Sequence, residues 1–251
     1  MRYPILLPDP EERLTQDAEW CRARIRGRWR EVRFHDYQEL YEIEGLYERL
    51  FYDVLRCESP ATVRQLLESE LAEADVAPDE LRVLDLGAGN GIMGEELVDL
   101  GVDAVVGVDI IPEAADAARR DRPEVYDDYH VVDMTNLPPD EREELEAHCF
   151  NCLTCVAALG FGDIPPRAFQ EAYNLVEPGG WVAFNIKEDF LDGADRSGFS
   201  RLIADAVGEG HLCLRTTERY RHRLSTAGEP LHYVAMVGTK ADDLPEGIVP
   251  G

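Results

Sequence analysis

Val83-Leu84-Asp85-Leu86-Gly87-Ala88-Gly89-Asn90-Gly91 joins an apolar run directly to a glycine-rich turn. Glycines placed there let the backbone approach a ligand at the carboxyl edge of a parallel sheet, beside a helix N-terminus. Two more acids follow apolar runs further on, Asp109 after Val108 and Asp133 after Val132. Gly89-Asn90-Gly91-Ile92-Met93-Gly94 satisfies the G-x-G-x-x-G of dinucleotide binders, with Asp109 about 20 residues on, where an acid holds a ribose diol. A nicotinamide (NAD(P)-dependent) oxidoreductase therefore fits this run. Asp85 points elsewhere: a carboxylate ahead of the glycines suits the positively charged amino group of a methionine moiety and gains nothing from a pyrophosphate. Asp133 can accept a hydrogen bond from an exocyclic amine such as that of adenine.

With these motifs in order, residues 80 to 240 resemble the class I S-adenosylmethionine-dependent methyltransferases. The first motif is the run from Val83 to Gly91; Val108-Asp109-Ile110 and Val132-Asp133-Met134 are similar to the acids after the second and third strands. Phe150-Asn151-Cys152-Leu153-Thr154-Cys155-Val156 looks like the fourth strand, with Asn151 where the family often has Asp. Leu175-Val176-Glu177-Pro178-Gly179-Gly180-Trp181 is similar to the turn before the fifth strand. The resemblance implies that Gly87, Ala88, Gly89, Asn90 and Gly91 line the methionine part of S-adenosylmethionine with Asp85 nearby. It implies that Asp109 holds the ribose, Ile110 flanks the adenine, Asp133 and Met134 bind it, and Val156 with Ala157 lines the sulfonium. Val156 to Pro165 is particularly similar to the methyltransferase-like 27 type of small-molecule enzyme. The product would be S-adenosylhomocysteine. A protein that keeps the fold and cofactor without turnover is a third reading.

A sulfonium is already an activated methyl donor, so the protein has mainly to hold a nucleophile in line with it. No catalytic base is assigned from the sequence. Candidate acceptor contacts are Phe161, Lys187, Glu188 and Asp189 near the strand ends, and His35, Tyr37, Tyr41 and Tyr47 on the N-terminal segment. His35 is the first to substitute. The Asn-Pro-Pro-aromatic and Pro-Cys signatures of nucleic-acid methyltransferases are missing, and Ala157-Ala158-Leu159-Gly160 stands after the fourth strand instead.

These residues need a scaffold, and the hydropathy pattern predicts one. From residue 81, short β-rich runs alternate with helical stretches, which is the signature of a doubly wound, Rossmann-like α/β sheet. Seven strands are expected: Leu81 to Leu86, Ala104 to Val108, Tyr129 to Val132, Phe150 to Val156, Trp181 to Ile186, His211 to Thr217 and Leu231 to Gly238. The sheet is mostly parallel with its last strand antiparallel. Helices are expected to start near Gly91, Pro112, Pro139 and Pro166, with another over 196 to 208. Residues 1–78 show no clear strand pattern and read as a helical cap or substrate lid, with helices over Tyr37 to Cys57 and Ala61 to Ala74. The body is 79–240, and the tail 241–251 reads as loose.

The chain of 251 residues carries 51 Asp plus Glu against 25 Lys plus Arg, a net charge of −26, and its only lysines are Lys187 and Lys240. Such a field repels phosphate backbones, so nucleic acid is an unsuitable partner and a small molecule the expected one. Arg22, Arg24, Arg26, Arg28, Arg30 and Arg33 form a basic run, but Glu11, Glu12, Asp17, Glu19 and Glu31 surround it, and a solvated, salt-bridged segment is the reading. No apolar stretch is long enough to span a bilayer and no export signal is evident, so a cytoplasmic protein, monomer or homodimer, is expected. Cys149, Cys152 and Cys155 fall on one predicted strand, where residues three apart face opposite ways and cannot share a metal; no metal site is expected.

Overall fold

The computed structural model describes residues 3–191 and 197–248. The chain begins with a three-stranded antiparallel sheet, β1 (Ile5–Leu6), β2 (Trp20–Ile25) and β3 (Arg28–Arg33). This corrects the expectation of an N-terminal segment without strands. Cys21, Ala23 and Val32 are buried while Arg22, Arg24 and Arg30 are exposed, the period-two alternation of a sheet with one covered face. Arg26 and Gly27 (φ 47° and 83°) form the two-residue connection with both residues at positive φ that right-twisted strands prefer. The arginines are thus the wet face of a hairpin, and two are paired, Arg22 with Glu31 at 3.4 Å and Arg30 with Glu39 at 2.5 Å.

The expected single helix over Tyr37 to Cys57 is broken. Helix α1 (Tyr37–Glu42), capped by the Asp36 carboxylate, stops before Gly45, whose φ of 72° turns the chain into α2 (Leu46–Glu48) and a π-helical stretch over Arg49–Val54. Its apolar stripe survives the break, because Leu40, Leu46, Leu50 and Leu55 all pack with Phe34, Cys21 and Val32. Helix α3 (Ser59–Glu73), read from sequence with the cap, packs on the central sheet: Val63, Leu67 and Leu71 meet Val83, Val105 and Trp181.

The central sheet has seven strands: β4 (Arg82–Leu86), β5 (Ala104–Asp109), β6 (Asp128–Val131), β7 (Cys152–Cys155), β8 (Trp181–Lys187), β9 (Leu212–Leu224) and β10 (Pro230–Lys240). Their order is β6-β5-β4-β7-β8-β10-β9. The first five are parallel, and β10, the last in the chain, runs antiparallel to β8 and β9. The remaining helices are α4 (Ile92–Leu100), α5 (Pro112–Asp121), α6 (Pro139–Ala147), α7 (Pro166–Asn174) and α8 (Phe199–Gly208). Residue 196, where the sequence reading starts α8, lies outside the described residues.

Alternating side chains send Leu84, Leu86, Val106 and Val108 to one face, under α7 and α8, and Val83 and Val105 to the other, under α3 and α4. Cys155 and Cys152 divide between the same two faces, while Cys149 is exposed; the described cysteines are all free thiols. Strand order reverses between β4 and β5 on one side and β7 on the other, and ligands of such sheets bind beyond the carboxyl ends at that switch.

Two features were not legible beforehand. Strands β9 and β10 run past the sheet and carry the N-terminal segment: Leu224 N–H donates to Leu55 O, Glu58 N–H to His222 O, and the Gln16 amide to the Tyr233 hydroxyl at 2.8 Å. The C-terminal segment is not loose over its described part, 241–248. Leu244 and Ile248 are buried against α7 in the main core, and Gln170 and Asn174 donate to the carbonyls of Leu244 and Pro245. Residues 249–251 lie outside the described residues.

Candidate active site

The glycine turn after β4 is fixed from below. Gly87 and Ala88 N–H both donate to Val108 O, and Gly89 N–H donates to Asp109 Oδ2 at 3.0 Å. The Tyr129 hydroxyl donates to Gly89 O, and the Tyr126 hydroxyl donates to Asp85 Oδ2 and Ala88 O. Gly87 and Gly89 sit at φ 72° and 56°, where an L side chain is strained. A Cβ on Gly87 would come within 2.7 Å of Ile164 and 2.9 Å of Ala158, and one on Gly89 within 2.5 Å of the Tyr41 hydroxyl. The glycines therefore let the turn pass under both the loop after β7 and helix α1.

Above the turn lies a cleft of about 460 Å³. Gly87, Asp109, Ile110, Asp133, Met134 and Val156 line it, as do Ala157 and the cap residues His35, Tyr37, Tyr41 and Tyr47. The other expected cofactor residues, Asp85, Ala88, Gly89, Asn90 and Gly91, are buried and do not line it. Asn90 donates to Glu48 Oε1, which also receives Arg122, so it ties the turn to α2. Asp85 is 1% exposed and accepts from Thr154 Oγ1 at 2.7 Å and the Tyr126 hydroxyl at 2.8 Å. Burial pushes its carboxyl up to about 6, against the pull of those two hydrogen bonds. It braces the turn from the core side. Burial likewise raises Asp109, opposed by backbone bonds from Ile111, Gly89 and Ile110.

Asp109 uses one oxygen for Gly89 and the other for Ile111, and each keeps a lone pair for a diol. Asp133 accepts from the Thr135 backbone and hydroxyl through Oδ1 alone. Ile110 is 57% exposed at the rim, an apolar surface a flat heterocycle would cover. Asn151 lies apart from the cleft, bonding Arg82 N–H and Glu80 O at the start of β7.

His35, at the cap end of the cleft, bonds through Nδ1 to Asp163 Oδ2 at 3.0 Å and packs on Tyr37 and Phe161. Tyr37, Tyr41 and Tyr47 form a ladder of rings from there, with centroids 6.2 and 5.0 Å apart. Lys187 lies over the Phe161 ring and pairs with Asp189 at 2.7 Å, while Glu188 is engaged by Arg219. Neither Lys187 nor the two acids line the cleft. Asp163, Tyr126, Tyr129 and Thr154 are participants that the sequence reading missed. Their side chains meet the site only through long-range packing, and nothing local in the sequence marks them.

A doubly wound sheet with a glycine-floored cleft at its switch point, acids after its second and third strands and an antiparallel last strand defines a class I methyltransferase-like nucleoside site. Residues 55–229 match the family described as "Methyltransferase domain". The chain belongs to that family, the class I S-adenosylmethionine-dependent methyltransferases, and S-adenosylmethionine rather than a nicotinamide dinucleotide is its cofactor.

A ubiquinone biosynthesis O-methyltransferase of Xanthomonas axonopodis pv. citri is 29% identical over 215 residues, 84% of this chain and 83% of that one. One of Paraburkholderia phymatum is 32% identical over 110 residues, 41% of this chain and 43% of its own length, so the match spans less than half of that relative. The crystal structure of N-methyltransferase NodS from Bradyrhizobium japonicum with S-adenosyl-L-homocysteine shares the fold, with a TM-score of 0.55 at 13% identity over 81% of this chain and 97% of that one. Among the described residues no helix is long and apolar enough to cross a membrane.

Proposed function

We propose that the chain transfers a methyl group from S-adenosylmethionine to a hydroxyl oxygen of a small, ring-bearing acceptor. The observation that carries this reading is the His35–Asp163 pair, set between the cofactor-lining strand ends and the aromatic wall of the cap. The relatives named O-methyltransferases support an oxygen acceptor.

The residues present fit the cofactor, since Gly87 gives the cleft a floor without a side chain and each Asp109 oxygen keeps a lone pair beside it. Gly87 would carry the methionine part, Asp109 the ribose, and Ile110, Asp133 and Met134 the adenine. Val156 and Ala157 would lie beside the sulfonium. Asp85, Ala88, Gly89, Asn90 and Gly91 act beneath this surface by holding the turn. When bound, the cofactor supplies an electrophilic methyl group.

The protein's task is to orient the nucleophile and take its proton. Asp163 accepts from Nδ1–H of His35, which fixes the ring and leaves Nε2 as the base, the division of labour a carboxylate imposes on a neighbouring imidazole. Tyr37 and Tyr41 are held well above the ordinary phenol range by burial and remain neutral walls.

Thermal shift should show stabilisation by S-adenosylmethionine and S-adenosylhomocysteine and none by NAD(H). With phenolic acceptors followed by mass spectrometry, His35→Ala should lose about 10²- to 10⁴-fold in kcat while still binding S-adenosylhomocysteine. Full turnover by His35→Ala would remove the base from this reading, and methylation of amines alone would remove the oxygen acceptor.

A further inference from the structure

Beyond the cleft, past His35 and Ala157, lies a small niche of about 30 Å³ between the N-terminal segment and the extended β9–β10 hairpin. It is large enough for one functional group and too small for a ring. Gln16, His222, Arg223 and Tyr233 line it, and it shares His35, Tyr37, Tyr47, Ala157 and Asp163 with the cleft. Gln16 is 8% exposed; its amide donates to the Tyr233 hydroxyl, and its Oε1 is buried with no hydrogen-bond partner. Buried polar atoms are ordinarily satisfied, so an orphaned acceptor beside a cavity points to a donor arriving from outside the chain.

The opposite partner is His222, whose ring stacks on Tyr233 at 4.0 Å. A relay sets its tautomer. Ala157 N–H, at the strand end beside the methyl-transfer position, can only donate, so it fixes Asn185 Oδ1 as its acceptor and turns Asn185 Nδ2 toward the Tyr220 oxygen. Tyr220 then donates to Ser59 Oγ at 2.6 Å, and Ser59 to His222 Nδ1 at 2.6 Å. The ring proton is left on Nε2. Burial, with the nearby Arg223 charge, holds His222 well below its ordinary pKa and keeps the ring neutral. Arg223 is itself cancelled by Glu19 at 2.6 Å, both being almost wholly buried. The niche thus offers one donor, one acceptor and no uncompensated charge from these groups.

We propose that this niche is a recognition subsite for a second, uncharged hydroxyl on the acceptor, which donates to Gln16 Oε1 and accepts from His222 Nε2–H. The subsite rests on the acceptor reading above for its role. A hydroxyl meets both groups at once, whereas an ammonium offers nothing to the His222 donor and a carboxylate nothing to the Gln16 acceptor. Because the niche borders His35 and Asp163, the anchored hydroxyl is a near neighbour of the methylated one.

The test is equilibrium binding to the full chain saturated with S-adenosylhomocysteine, using phenol, 1,2-dihydroxybenzene and 2-hydroxybenzyl alcohol as probes. At least one diol should bind about tenfold or more tighter than phenol, as expected for a buried polar pair left unmet by the analogue. Gln16→Met, close in volume, and Tyr220→Phe, which interrupts the relay, should each abolish that preference while S-adenosylhomocysteine binding persists. Equal affinities for diols and phenol, no binding of any probe, or a preference that survives in both variants would overturn the subsite. Turnover in the same samples reads the other proposal separately. A diol preference without methylated product leaves the subsite and removes the O-methyl reading, whereas equal methylation of all three probes does the reverse.

Discussion

Asp85, buried near the end of β4 beneath the glycine turn, sits there at a cost that pH should reveal. Its carboxyl titrates near 6 when folded and near 3.8 as an ordinary aspartate, because burial outweighs the Thr154 and Tyr126 hydrogen bonds. Between those values the folded chain binds a proton that the unfolded chain has released, so stability from this group is greatest below about 4 and falls as pH rises through 6. The gap corresponds to about 3 kcal/mol. Asp85→Asn should therefore be more stable than the parent in urea unfolding at pH 7.5, by up to about 2 kcal/mol. The difference should shrink toward zero near pH 4. Affinity for S-adenosylmethionine should fall in the variant, because Tyr126, which also holds the Ala88 carbonyl, loses a charged acceptor. A difference independent of pH would mean that Asp85 is not the group titrating near 6.

At the level of elements, the turn after β4 and helix α1 are matched surfaces. Tyr41, packed against Ala114 and Ala117 of α5, brings its hydroxyl to where a Cβ on Gly89 would stand. Gly89→Ala should cost about 1–3 kcal/mol through the positive φ and this clash, and weaken cofactor binding. Tyr41→Phe in the same chain should return the clash part only, so a double-mutant cycle by thermal or denaturant unfolding should show coupling of about 0.5 kcal/mol or more. Additive effects would mean that α1 does not rest on the turn. The strands and helices from 81 onward were legible because apolar periodicity changes there from 2 to 3.6 and prolines open three of the helices. The hairpin of β2 and β3 was hidden because its alternation is carried by arginine against Cys21 and Ala23, small residues with little hydropathic contrast. The outer half of β9 was hidden likewise, since Glu218, Arg219, Arg221 and His222 read as a polar loop.

Across the whole molecule, the charge of −26 is spread over a surface in which arginine supplies nearly every cation. Lys240 is 1% exposed, donating to the carbonyls of Tyr173, Asn174 and Val176 at the end of α7, and Lys187 is paired with Asp189. An acidic surface without a free lysine among the described residues repels itself in dilute buffer. Salt near 1 M shortens the screening length to about 3 Å and should relieve that repulsion. The melting temperature should rise by several degrees from 0.1 M to 2 M KCl, and an unchanged or lower value would refute the idea. The sequence by itself determined the doubly wound sheet, its strand count and the residues Gly87, Asp109, Ile110, Asp133, Met134 and Val156 that line one cleft. Those residues sit at the ends of strands whose apolar runs are locally readable. Only the tertiary structure decided that Asp85 faces the core, that His35 meets Asp163, and that Gln16, Ser59 and His222 come together. Ser59 and His222, like Gln16 and Tyr233, are more than 100 residues apart and are brought into hydrogen-bond range by packing of the N-terminal segment on β9 and β10, while His35 reaches Asp163 on the loop after β7.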